Sequence, residues 1–128
     1  QFDRWVQGHL RLIRGAWDRA QDKGAQADLR NGLAVSLVFV VDQDSFEGFT
    51  PREAGSIDSG SSFNDGETVV GEVSIRQANA TAVLLTTESA SGTVFCAVHL
   101  IIGSGPVDEF LGTADAQRVA DCSGGWPD

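Results

Sequence analysis

The sequence predicts an α+β fold in which one long N-terminal helix packs on a three- to four-stranded antiparallel sheet. Apolar residues recur at helical spacing through residues 1–41, and alternating apolar segments follow within residues 67–102. Two cysteines, one in the last of these segments and one near the C-terminus, favour a disulfide-closed C-terminal loop. We therefore expect a single domain over residues 1–128, with the N-terminal helix in 1–41 and the sheet and C-terminal loop in 67–128.

The centre of the predicted helix carries apolar residues at every fourth position. The stripe begins at Ala25 and continues through Leu29, Leu33, Leu37 and Val41. Because residues four apart lie on one side of a helix, this stripe is expected to face the sheet. The last two turns are rich in the β-branched residues Val35, Val38, Val40 and Val41. A strand is therefore the alternative to a helix there.

The first 17 residues read as an amphipathic helix. Its large apolar side chains are expected to form an assembly face: Phe2, Trp5, Leu12, Ile13 and Trp17. Such a face needs a covering partner, which is the chain's own core, another subunit or a membrane surface.

Three strands are predicted after the helix. They cover Val69–Ile75, Ala82–Thr87 and Thr93–Ile102, and their tight connections predict antiparallel neighbours. Residues 107–121 are ambiguous between a loop and a loop with one short strand, and residues 123–128 are interpreted as a tail. A capping pattern at Thr50–Glu53, with Pro51 at the first helical position, predicts a short helical turn.

The charge is unevenly distributed. Residues 1–30 carry six Arg or Lys against four Asp, whereas residues 31–128 carry three Arg against fourteen acidic residues. An acidic body argues against nucleic acid as a partner, because phosphate binding requires the opposite sign. Solubility is the simplest explanation of the acidic excess.

The cysteines point to an exported protein. The chain has two cysteines and no methionine, and its start at Gln1 favours a processed or truncated chain. A bridge between Cys96 and Cys122 is the favoured interpretation, and two buried free thiols are the alternative. A zinc site formed with His9 and His99 lacks any supporting ligand spacing, and we expect no metal and no cofactor.

No set of catalytic residues stands out, and we expect the protein not to be an enzyme. His99 lies among apolar residues with no nucleophile motif beside it, and the adjacent carboxylates Asp108 and Glu109 point apart. The acidic turn after the helix has Phe46 where a calcium loop needs an oxygen ligand, so a solvated turn is expected there. Asn79 begins a glycosylation sequon whose use the sequence does not decide.

Two segments carry a resemblance to a known family. RAQDKGAQADLRNGL at residues 19–33 is followed by an apolar run, an acidic turn and GFTP, and SASGTVFC at residues 89–96 ends at a cysteine. These segments resemble type IV pilins, particularly those of Gram-positive bacteria. The resemblance implies a long N-terminal helix on an antiparallel sheet, a C-terminal loop closed by a disulfide, and subunits that polymerise into surface filaments.

The N-terminal segment departs from the pilin pattern. Where pilins have a strongly apolar helix, this chain carries charged and polar residues, namely Asp3, Arg4, His9, Arg11 and Arg14. The family's N-terminal glutamate and prepilin cleavage motif are absent from this sequence. Any membrane contact is therefore expected only through a missing or removed N-terminal segment. The polymerisation inference is correspondingly weaker than the fold inference.

The predicted function is a structural subunit of an extracellular type IV pilus-like filament or secretion pseudopilus. It would lie at the cell surface and self-associate through its N-terminal helix. One alternative is a secreted monomeric binding module with a cystatin-like, helix-on-sheet fold. Another is a small enzyme that uses His99 as a base.

Overall fold

The computed structural model describes residues 2–103 and 106–127, with side chains from Val6 onward. Helix α1 spans Phe2–Gln43 and helix α2 spans Pro51–Ile57. The strands are β1 (Phe63–Asn64), β2 (Val73–Ala78), β3 (Ala82–Glu88), β4 (Val94–Ile101) and β5 (Val107–Gly112), and a 3₁₀ turn covers Val119–Asp121. They form one sheet in the order β1-β2-β3-β4-β5, in which β1 is parallel to β2 and the other neighbours are antiparallel.

The predicted fold class is confirmed. One continuous helix reaches Gln43, so the strand alternative for its last two turns is wrong. Strands β2 to β4 form the predicted antiparallel meander, and β5 continues it within residues 107–121, where the sequence left a loop or a loop with one short strand open. The two-residue parallel strand β1 is an addition that brings the sheet to five strands.

The main core lies between α1 and one face of the sheet. Leu29 and Leu33 pack there against residues of the central strands, including Val83, Leu85 and Phe95, and all five are almost fully buried. Gly32 allows the close approach, because a Cβ at that position would stand 3.0 Å from Cδ1 of Leu85. The helix is therefore held by burial of apolar surface along its C-terminal half.

The prediction that the stripe faces the sheet is wrong at its far end. Leu37 is half-buried and Val41 is 84% exposed, although Leu33 is buried. Four residues turn a helix by slightly more than one full turn, so an every-fourth stripe moves steadily away from a fixed sheet. Ser36 and Val40 occupy the buried side instead.

The first of the three predicted strands, which corresponds to β2, begins later than predicted. Val69 and Val70 are exposed, and β2 begins only at Val73. Gly71 has a φ of 84°, a conformation that leaves the extended strand geometry and is easily adopted by glycine. The chain therefore turns at Gly71, where the alternating pattern alone indicated an unbroken strand.

The C-terminal segment covers the opposite face of the sheet. Leu84, Cys96 and Val98 form a second apolar cluster there with Ala116 and Cys122. The disulfide between Cys96 and Cys122 fixes this segment to β4. Each face of the central strands is thus covered by a different end of the chain.

The short helix α2 is started as its sequence predicts. Pro51 occupies the first turn, and the hydroxyl of Thr50 accepts a hydrogen bond from the amide of Glu53. Phe46, in the preceding turn, is fully buried in the main core, which explains an aromatic residue inside an acidic turn.

The loop after α2 is tied to α1 by a carboxylate. Asp58 accepts hydrogen bonds from the hydroxyl of Ser61, the side-chain amide of Asn31 and the backbone N–H of Gly60. These hydrogen bonds lower the pKa of Asp58, and the bond from Ser61 has the largest effect.

Candidate functional site

The N-terminal part of α1 extends beyond the sheet. Among the described side chains of α1, the first buried one belongs to Ala25. One turn earlier, the side chain of Asp22 accepts a hydrogen bond from the hydroxyl of Ser91. Residues 6–20 therefore form a projecting arm roughly 22 Å long at 1.5 Å per residue. We call these residues the arm.

The arm displays large apolar side chains to solvent. The exposed fractions are 54% for Leu10, 73% for Leu12, 64% for Ile13 and 64% for Trp17. Phe2 and Trp5, the other two residues of the predicted assembly face, have side chains outside the described part of the structure. Apolar exposure on this scale typically marks an interaction surface.

The predicted assembly face does not lie on one side of the arm. Leu10, Ile13 and Trp17 are three and four residues apart, so they share a face. Leu12 lies two residues from Leu10 and therefore points to a different side. Leu10, which the sequence analysis did not include in the face, belongs with Ile13 and Trp17.

This face continues along α1 from Leu10 to Val41 as a strip that we call the outer seam. Its spacing alternates strictly between three and four residues, and all its members are exposed: Leu10, Ile13, Trp17, Ala20, Gly24, Ala27, Asn31, Ala34, Val38 and Val41. Nine of these ten residues are apolar, alanine or glycine. An alternating three-four pattern with apolar residues is the heptad signature of a helix that packs lengthwise against another helix.

The outer seam could have been found in the sequence. Its middle consists of alanines and a glycine, which carry little hydrophobicity, whereas the leucine stripe of the core is much stronger. The leucine stripe therefore dominates the hydrophobic pattern and, by spacing alone, extends to Val41, although Val41 belongs to the outer seam. The signal that identifies the seam is the recurrence of Ile13, Ala20, Ala27, Ala34 and Val41 at intervals of seven residues.

The charge of the arm is opposite to that of the rest of the chain. Arg11, Arg14 and Arg19 are exposed on the arm, where Asp18 is the single acidic residue. Residues 31–128 carry three Arg against fourteen acidic residues. The arm and the rest of the chain therefore carry charge of opposite sign.

The disulfide-closed loop ends in a docked tail. The backbone passes Gly112 so closely that a Cβ there would stand 2.6 Å from both N and O of Ser123. Beyond this crossing, Trp126 returns to the helix side of the sheet and packs on the main core. The interpretation of residues 123–128 as a simple tail is wrong at Trp126, which is half-buried.

His99 connects the helix to the sheet. Its Nδ1 lies 3.3 Å from Oγ of Ser36 on α1, and its Nε2 lies 3.6 Å from Oε1 of Glu109 on β5. Burial lowers the pKa of His99, while the carboxylate of Glu109 acts in the opposite direction. The ring is 5% exposed, so it occupies an internal position between helix and sheet.

Two further observations concern the described part of the chain. Among its residues, no three His, Cys, Asp or Glu side chains are grouped so that they could hold a metal ion. No helix within the same residues combines the length and the apolar character needed to cross a membrane.

The architecture is pilin-like: a long N-terminal helix on a mixed five-stranded sheet, with a disulfide near the C-terminus. No family model, curated protein or solved structure significantly matches the chain. The geometry of the helix, the sheet and the disulfide is therefore the basis on which a function can be inferred.

Proposed function

We propose that this protein is a non-enzymatic structural subunit of an extracellular, pilus-like filament or secretion pseudopilus. Its subunits associate through α1, and the acidic body faces outward. The exposed apolar face of the projecting arm carries this proposal.

The arm supports the proposal because its apolar residues cannot be covered by the subunit's own sheet. Among the described side chains of α1, burial begins at Ala25, whereas Leu10, Ile13 and Trp17 lie two to four turns earlier. An extended helix with such a face is stabilised when a second surface removes it from water. Neighbouring subunits of a filament provide that surface.

Charge and compartment agree with this role. Arg11 and Arg14 provide basic groups on a chain that is otherwise strongly acidic, which favours contact between the arm of one subunit and the body of the next. The Cys96–Cys122 disulfide indicates an oxidising, extracytoplasmic compartment. Location on the cell surface follows from the proposed filament.

Electron microscopy of the purified chain tests the proposal. The wild-type protein is expected to form filaments, and the double variant Ile13→Ser/Trp17→Ser is expected to remain monomeric while its body stays folded. A matched control is Ile102→Ser/Phe110→Ser, which removes exposed apolar side chains from the sheet region. This control should assemble like the wild type.

Two results contradict the proposal. A wild-type chain that sediments as a monomer at high concentration would favour the secreted binding module. A double arm variant that assembles as well as the wild type would show that the arm is not the assembly surface.

A further inference from the structure

A small notch lies beside the outer seam where the helix meets the sheet. It has a volume of about 230 Å³ and is lined by Gly24 of α1 together with Val70 and Ala90 from the loops flanking the sheet. Nothing lies within 4 Å of the position that a Cβ of Gly24 would occupy. The helix surface is therefore recessed at this point.

The outer seam contains one row in which side-chain size changes abruptly. The row recurs every seven residues through Leu10, Trp17, Gly24, Asn31 and Val38. In parallel helix pairs, residues of this row face residues of the same row on the partner. Unshifted packing would place Trp17 against Trp17 and leave a gap between two copies of Gly24.

A shift of one heptad removes both problems. It places Trp17 of one copy opposite Gly24 of the next, where a large aromatic ring meets the recess. Leu10 then faces the other copy's Trp17, and the axial offset is about 10.5 Å at 1.5 Å per residue. The largest residue of the row thus opposes the smallest, which favours close packing.

We propose that Trp17 of a second copy of this chain occupies the notch at Gly24, with the two α1 helices parallel and shifted by one heptad. This inference rests on the proposed function and specifies the contact by which the subunits associate. The occupant is a second copy because the ring that fits the recess is exposed on the same seam, one heptad away.

The charges around the two surfaces are complementary. Asp28 and Glu88 line the notch, and neither forms an ion pair within the described residues. Arg11 and Arg14 precede Trp17 by two turns and one turn on the exposed arm. A tryptophan flanked by arginines therefore approaches an apolar recess flanked by carboxylates.

The contact is asymmetric. Trp17 and the notch lie one heptad apart on the same seam, so in the shifted pair one copy contributes the ring and the other contributes the recess. The remaining Trp17 of the pair faces Leu10 of its partner. Unlike surfaces of the two copies therefore meet, and the contact is heterologous.

Filling the recess is the first test. Gly24→Leu adds a side chain at the notch; its Cβ meets nothing within 4 Å, and leucine is favourable in a helix. We expect the critical concentration for assembly to rise at least tenfold. Gly8→Leu is the matched control, because Gly8 lies on the same helix, away from the seam, and also has open space around its Cβ position; this variant should assemble like the wild type.

Cross-linking is the second test. Trp17→Cys combined with Gly24→Cys, oxidised mildly in the full chain, should give disulfide-linked dimers. Trp17→Cys alone should stay uncross-linked, because its thiol faces the other copy's Gly24.

The outcomes separate this inference from the proposed function. If wild-type filaments form and Gly24→Leu assembles equally well, the notch contact is wrong and the filament proposal stands. Dimers from Trp17→Cys alone indicate unshifted packing, and a double variant that stays uncross-linked shows that Trp17 does not meet Gly24; either result overturns the inference. A wild-type chain that never assembles overturns both proposals.

Discussion

The guanidinium of Arg30 lies over the indole ring of Trp126, with Cζ 5.0 Å from the ring centroid. The same indole donates hydrogen bonds from Nε1 to the carbonyl oxygens of Cys96 and Gly112, and its edge meets Phe95. One aromatic residue near the C-terminus therefore joins α1, β4 and β5.

Arg30 and Trp126 are expected to be energetically coupled. In a double-mutant cycle with Arg30→Ala and Trp126→Ala, the two changes should be non-additive by about 0.5–1 kcal/mol, the range for a cation–π contact at an exposed site. Urea unfolding measures the cycle. Arg19→Ala with Trp126→Ala is the control, and its effects should add; equal additivity in both cycles would show that the contact contributes no stability.

The two ends of the predicted leucine stripe should differ sharply in stability. Leu33→Ala should lower the free energy of unfolding by about 2–5 kcal/mol, because the side chain is buried against the sheet. Val41→Ala is the matched control, and it should change this free energy by no more than about 0.5 kcal/mol, since the residue is exposed. Similar losses for both variants would contradict the packing of α1 described here.

The stability of the protein should depend on pH through His99. The pKa of His99 is below its usual value of 6.5 in the folded state, so the unfolded chain takes up this proton first as the pH falls. The contribution is fully present above pH 6.5 and is lost as the pH falls through the lower pKa of the folded state, at up to about 1.4 kcal/mol per pH unit.

Unfolding in urea between pH 8 and pH 5 tests this dependence on His99. The variant His99→Gln should lack the part of the pH dependence that arises from this residue, while the carboxylates contribute equally to both proteins. Parallel curves for the wild type and the variant would show that His99 has the same pKa in the folded and unfolded states.

The disulfide should provide a measurable share of the stability. Cys96 and Cys122 are separated by 26 positions, and closing a loop of this size stabilises by about 3.5 kcal/mol on the chain-entropy model. Cys96→Ala/Cys122→Ala should lose about that much in urea unfolding. Mass spectrometry of the native wild type should show two hydrogens fewer than the reduced chain, and two alkylatable thiols in native protein would contradict the bridge.

Gly112 should tolerate no side chain. A Cβ there would stand 2.6 Å from the backbone of Ser123 and 2.8 Å from Sγ of Cys96, and neither group can move freely. Gly112→Ala should cost about 1–3 kcal/mol, the usual range for overpacking. Gly8→Ala, in open space, should instead stabilise the helix slightly; a neutral Gly112→Ala would mean that the tail does not cross β5 so closely.

Local patterns were sufficient for most of the fold. The helix, the hairpins and the capping by Thr50 depend on residues near one another in sequence, so spacing alone predicts them. Val41 and Gly71 depart from the prediction, because periodicity does not show which surface a stripe faces or where the backbone leaves a strand.

The remaining features depend on contacts between distant parts of the chain. Ser36 meets His99, and Arg30 meets Trp126, only after the sheet has formed. Leu12 was grouped with Trp17 by its hydrophobicity, although helix geometry separates them. The alanine and glycine part of the outer seam is weak in hydropathy and becomes evident once the opposite side of α1 is known to be buried.

The bridge between Cys96 and Cys122 also determines what a protease can release. A single cut anywhere between these residues, for example in the exposed stretch at Gln117 and Arg118, leaves the two pieces covalently joined. The nicked protein would keep its mass, apart from one added water, until a reductant is supplied. For a protein outside the cell, where proteases are common and reductants are scarce, this bond keeps a cleaved chain together as one molecule.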